Sequence, residues 1–116
     1  MAGSTHTPNG IGHFDVAGPD IAPLQHFYET VFGWEVVVRG PGYAQVHTPG
    51  AAVDGALVEA PEAALTVGIV VADLDRVLDA AVRSGGAVVM PKTDNGFVVK
   101  GQVADPTGNR VTLIQA

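Results

Sequence analysis

From Ile11 onward, apolar residues recur with two different periods. Gly12–Ala17 alternates as a strand does, and Asp20 then precedes Leu24, Phe27, Tyr28 and Val31 at helical spacing. Asp20 suits an N-cap, Pro23 falls in the first turn where its missing N–H costs little, and Gly33 can take the left-handed conformation that ends helices. These signals predict a helix over Asp20–Phe32, with Phe27 and Tyr28 facing the core. Farther on, Asp73 precedes Leu74, Val77, Leu78 and Ala81, while Asp75, Arg76, Asp79 and Arg83 take the other side and Gly85-Gly86 follows. A second amphipathic helix is predicted over Asp73–Ser84.

Three short β-rich runs follow each helix: Trp34–Arg39, Tyr43–Thr48 and Ala56–Ala60, then Ala87–Met90, Phe97–Ala104 and Arg110–Gln115. In Asp105–Asn109 (DPTGN), Pro106 suits the second position of a type I turn and Gly108 the fourth, so a hairpin is expected there. Each half therefore reads β-α-β-β-β. A single shift of 53 residues relates Asp20 to Asp73, Gly33 to Gly86 and Gly55 to Gly108. Halves of roughly fifty residues bury too little surface alone, so the two are expected to pack as one pseudo-symmetric domain.

Composition narrows the chemistry. The chain of 116 residues has 47% hydrophobic and 16% charged residues, as a packed globule does. Without cysteine there is no disulfide, thiolate metal site or thiol nucleophile. A net charge of -6 with six Lys and Arg disfavours nucleic acid as a partner. The polar N-terminus has no apolar signal-like run and no eighteen apolar residues run together, so a cytoplasmic location and no membrane partner are expected. Residues 1–10 read as a flexible lead. Neither Ser4 nor Ser84 has a nucleophile-elbow setting, and phosphate-cradling glycine motifs are missing.

The runs GHFDVAGPD (Gly12–Asp20), HFYETVFGWEV (His26–Val36), VGIVVADLD (Val67–Asp75) and VADPTGNRVTLIQ (Val103–Gln115) resemble the glyoxalase/bleomycin-resistance/extradiol dioxygenase (vicinal oxygen chelate) superfamily. The resemblance implies an α+β fold in which two βαβββ modules, residues 11–62 and 63–116, form an incomplete barrel around a cleft. It specifies a fold and leaves the reaction open. In catalytic members a metal commonly sits on a His or Glu from the first and last strands of each half. On the 53-residue shift those positions are His13 and Glu59 in the first half and Thr66 and Thr112 in the second. Neutral Thr hydroxyls bind divalent ions weakly, so this set puts the usual metal site in doubt.

Alternation places His13 and Asp15 on one strand face, which is hard to bury as plain core and is assigned to the cleft. His13 reads either as a ligand contact or as a partner of Asp15. Tyr43, Gln45 and His47 share a face, and the same shift sets Val98 and Lys100 opposite Gln45 and His47. Trp34 is a core anchor or an aromatic shelf for a planar ligand. The ligand-contacting set is thus His13, Trp34, Gln45, His47, Glu59, Thr66, Lys100 and Thr112, with His13 and Glu59 as candidate acid and base.

The functional expectation is a small-molecule-binding protein, or a metal-independent enzyme of the glyoxalase/bleomycin-resistance type, with no cofactor. The alternative is a metal-dependent lyase, isomerase or dioxygenase that uses one divalent ion on a partial site of His13 and Glu59. The expected partners are a small organic ligand and a second copy of the chain in a homodimer, because sheet edges need cover.

Overall fold

The computed structural model describes residues 7–50 and 53–116. The chain divides into two compact units, His13–Thr66, and Met1–Gly12 together with Val67–Ala116. The expected β-α-β-β-β order is present twice. The first module contains β1 (Ile11–Gly18), α1 (Ile21–Phe32), β2 (Glu35–Gly40), β3 (Tyr43–His47) and β4 (Gly55–Glu59). The second contains β5 (Ala64–Val71), α2 (Leu74–Arg83), β6 (Ala87–Asp94), β7 (Val99–Ala104) and β8 (Arg110–Gln115).

In the first module the strands lie in the order β2-β3-β4-β1, with β1 and β4 parallel and the other pairs antiparallel. The second repeats the arrangement as β6-β7-β8-β5, with β5 and β8 parallel. A helix covers one face of each sheet. Val16, Ala44, Val46 and Leu57 form the first core, against which Leu24 and Tyr28 pack. Val71, Leu74 and Leu113 form the second, with Val77 and Leu78 beside them. Phe27 and Val31 depart from the expected core face of α1: they are 50% and 54% exposed.

The caps behave as their chemistry dictates. Asp20 accepts from the Ala22 N–H at 3.1 Å, and Asp73 from the Arg76 N–H at 3.2 Å, satisfying donors that the first helical turn leaves open. Gly33 closes α1 at φ 69°. At the end of α2 the left-handed residue is Gly85, at φ 93°, rather than Gly86. In the β7–β8 hairpin the Gly108 N–H donates to the Asp105 carbonyl at 2.9 Å, closing the expected turn. Residues 1–6 of the expected lead lie outside the described residues. Just after them, the Asn9 N–H donates to the Val70 carbonyl and the Val70 N–H to the Gly10 carbonyl, so residues 9 and 10 are tied to β5.

Candidate functional site

The helix-free face of the first sheet carries three residues of the expected site, His13, Gln45 and His47. In β1 it presents His13, Asp15 and Ala17, because Phe14, Val16 and Gly18 turn toward α1. Register extends this face across the sheet: Asp15 stands opposite Ala56 of β4, Ala56 opposite Gln45 of β3, and Gln45 opposite Val37 of β2. Tyr43 and His47 flank Gln45 on the same side. Small Ala56, 1% exposed, thus forms the floor between two polar side chains.

Three hydrogen-bonded pairs order these groups. His13 Nε2 lies 3.0 Å from Asp15 Oδ1, with both side chains about one-third exposed. An ionised carboxylate only accepts, so this bond calls for a proton on Nε2, and a neutral ring would then keep its lone pair on Nδ1. Arg39 donates through Nε to Gln45 Oε1 at 2.8 Å. His47 Nδ1 lies 3.1 Å from Asp54 Oδ2, and the Thr48 N–H donates to Asp54 Oδ1 at 3.0 Å. The His47 hydrogen bond holds the Asp54 carboxyl below its usual range, against opposing desolvation, and the Thr48 N–H adds to the lowering.

Glu59 is placed elsewhere. It pairs in register with Gly18, whose missing side chain would meet Leu24 of α1, so Glu59 lies on the helix side of β4, across the sheet from His13. Its exposed side chain lies over Gly42, at whose φ of 70° an added Cβ would stand 2.9 Å from Glu59 Cβ. The structure therefore does not bring His13 and Glu59 together on one face. Trp34 is also on the helix side, stacked on Tyr28 at 5.2 Å and tilted against Phe14 at 5.7 Å; its role is core packing.

The second module has its own helix-free face. Thr112, 9% exposed, stands opposite Gly68 of β5 and Gln102 of β7, and Gln102 Nε2 donates to Thr112 Oγ1 at 3.3 Å. Lys100, half-buried, shares this face two residues from Gln102. Half-buried Thr66 lies on β5 two residues before Gly68.

Matching the modules strand by strand corrects the uniform 53-residue shift. Asp15 and Gly68 do correspond at that spacing, and so do Val37 and Met90, opposite Gln45 and Gln102. From there the second hairpin is longer: Val37 to Gln45 spans eight residues, Met90 to Gln102 twelve. Gln45 therefore matches Gln102, Tyr43 matches Lys100, and Ala56 matches Thr112. Glu59 matches Gln115, which is a structural residue: its Oε1 accepts from the Leu74 N–H at 2.9 Å and its Nε2 donates to the Ala72 carbonyl at 2.7 Å. The pairing of His47 with Lys100 and the alignment of Gly55 with Gly108 dissolve for the same reason.

Residues 10–113 match the family model described as the Glyoxalase/Bleomycin resistance protein/Dioxygenase superfamily. The chain belongs to this superfamily. It is 32% identical over 122 residues to a protein provisionally named glyoxylase CFP32 of Mycobacterium tuberculosis, an alignment covering 95% of this chain and 46% of that protein. The chain thus spans about half the length of the curated relatives it matches. Among solved structures, methylmalonyl-CoA epimerase from Mycobacterium tuberculosis aligns with TM-score 0.69 and 17% identity, over 97% of this chain and 91% of that one. A superfamily member from Vibrio splendidus aligns with TM-score 0.68 and 21% identity, over 89% and 96%. These likenesses show the glyoxalase-like α+β fold.

Superfamily members commonly use a divalent metal on the first and last strands of each module. The corresponding residues here are His13, Ala56, Thr66 and Thr112. One imidazole, a methyl group and two neutral hydroxyls, one of them already accepting from Gln102, do not make a donor set for a tightly held divalent ion. Among the described residues no three His, Asp or Glu side chains gather in a metal-holding group.

Proposed function

We propose that this chain is a small-molecule-binding protein of the glyoxalase/bleomycin-resistance type that works without a resident divalent metal. Its ligand lies against the helix-free face of the first module, with His13 as the proton-accepting contact. The observation that carries the reading is the His13–Asp15 pair. Asp15 fixes the ring through Nε2, and the free Nδ1 lone pair can accept a hydrogen bond or a proton from an organic ligand. Gln45 adds a hydrogen-bonding group, and half-buried Val58 an apolar surface. Glu59, on the other side of the sheet, takes no part.

The test is a titration of 15N-labelled protein with a panel of small organic acids, phenols and amides, followed by NMR. The reading expects saturable shifts centred on His13, Asp15 and Gln45 that disappear in His13→Ala. Shifts confined to other surfaces, or unchanged in that variant, overturn it.

The proposal includes a second copy of the chain as partner. Strands β2 and β6 end their sheets, α1 leaves Phe27, Val31 and Phe32 half exposed, and the curated relatives have about twice this chain's length, room for a second pair of modules. Light scattering tests it: a monomer mass at all concentrations rejects the dimer.

A further inference from the structure

Beyond the proton-handling pair, the helix-free face of the first module carries a cation that is aimed rather than merely exposed. Strand β2 pairs with β3 through Val38 opposite Ala44 and Gly40 opposite Tyr43, so β2 advances two residues while β3 advances one. Arg39 is the extra residue of this β-bulge. Arg39 has the parity of Val37, which stands opposite Gln45, so alternation turns it to the helix-free face, and the bulge leaves it without a cross-strand partner of its own. Here the guanidinium reaches Gln45, and its Nε–H donates to Gln45 Oε1 at 2.8 Å. Gln45 itself stands in the row Asp15–Ala56–Gln45, so Arg39 belongs to the face that bears His13.

The way Gln45 holds Arg39 decides what the side chain can still do. With Nε occupied, the Nη1/Nη2 end of the guanidinium keeps its planar fork, and no carboxylate among the described residues pairs with it. That fork matches the two oxygens of a carboxylate, and a neutral amide acceptor orients the cation without neutralising it. Asp15 and Gln45 are two strand spacings apart, about 10 Å, with Ala56 flush between them. The span suits an organic acid with a flat apolar body.

We propose that Arg39 is the anchor for a carboxylate group of the ligand, so that the molecules bound by this face are organic acids. The inference rests on the ligand-binding reading of that face and adds the substrate class. Benzoate is the probe, because its ring can lie on half-buried Val58, and benzamide is its neutral shape match. In NMR titrations of the full chain, benzoate shifts the Arg39 side-chain N–H and the His13 ring, and benzamide binds at least tenfold more weakly. Arg39→Gln weakens benzoate at least tenfold and leaves benzamide unchanged. Arg39→Lys, which keeps the charge and loses the fork, restores only part of the affinity. Gln45→Leu gives an intermediate loss, and the backbone spectrum of each variant reports whether the fold is kept.

Equal binding of benzoate and benzamide, unchanged benzoate binding in Arg39→Gln, or no shift at Arg39 up to the solubility limit each overturns the inference. If ligands of the wider panel still shift His13 in that event, the carboxylate anchor fails while the binding face stands. If none shifts His13, both fail.

Discussion

Ala56 and Thr112 hold the same place in their modules: each stands on the last strand opposite the matched residue of the first strand, Asp15 or Gly68, and opposite a glutamine of the third strand, Gln45 or Gln102. One is a methyl group flush with the sheet, and the other a hydroxyl engaged by Gln102. Neither can supply the anionic oxygen that a hard or borderline divalent ion demands. Calorimetric titration of tag-free protein with Mn2+, Ni2+ and Zn2+ at neutral pH is therefore expected to give no stoichiometric, saturable heat. One equivalent of metal that is lost in His13→Ala would refute the metal-free reading.

The bond to Asp15 favours the Nε2–H tautomer of a neutral His13 ring. Replacing Asp15 with Asn removes the acceptor-only partner, so the Nε2–H form loses its advantage and Nδ1–H becomes populated. The expected cost to orientation is about 1 kcal/mol, the net value of one hydrogen bond. Long-range 15N–1H correlations of the His13 ring read the tautomer directly. An unchanged spectrum in Asp15→Asn would show that the bond does not order the ring.

Glu59 and Gln115 are counterparts with unequal consequences. Gln115→Ala removes the acceptor for the Leu74 N–H at the start of α2 and the donor to Ala72, and should cost about 1–2 kcal/mol. Glu59→Ala removes an exposed carboxylate over Gly42 and should change stability by less than about 0.5 kcal/mol, with ligand binding intact. Urea unfolding of the two variants separates them, and a larger loss in Glu59→Ala would contradict the assignment.

Asp105 binds the hairpin end together. Its Oδ1 accepts from the Thr107 and Asn109 N–H groups, both at 2.9 Å, and its Oδ2 from Asn109 Nδ2 at 2.9 Å. The Asn109 side-chain bond, then its backbone bond, lower the carboxyl from 3.8 to about 2. A depressed carboxylate stabilises the fold above its unfolded value, and that contribution is lost as pH falls from near 4 toward 2. Asp105→Ala should lower the melting temperature at neutral pH and flatten its fall on acidification. Gly108→Ala, at φ 101°, should cost about 1 kcal/mol at every pH.

The elements were legible in the sequence wherever the signal is local. Asp20, Asp73, Gly33 and the DPTGN turn act within four residues, and the chemistry of each is the same in any fold. The polar strand face of His13 and Asp15 was legible for a similar reason, since alternation alone sets it. Glu59 was not, because its assignment relied on one spacing for the whole repeat, and the apparent match of Gly55 with Gly108 concealed the longer second hairpin. Gln45 and Gln102, identical residues at matched positions, were the available signal for the true register. The face of Arg39 follows from alternation with Val37, but its bond to Gln45 had no sequence signal, since the register of β2 on β3 sets it.

The longer hairpin between β6 and β7 has an ancestral reading. It grows outward at its tip, past Thr93 and Lys100, where Asn95 folds the turn through its own side chain and Phe97 is almost wholly exposed. Next to the tip, Met90–Gln102 and Thr93–Lys100 keep the register of Val37–Gln45 and Gly40–Tyr43. If the two modules descend from a duplicated segment, each copy could lengthen such a tip independently while its core kept the inherited packing, so common ancestry in this chain is recorded in strand partners rather than in distances along the polypeptide.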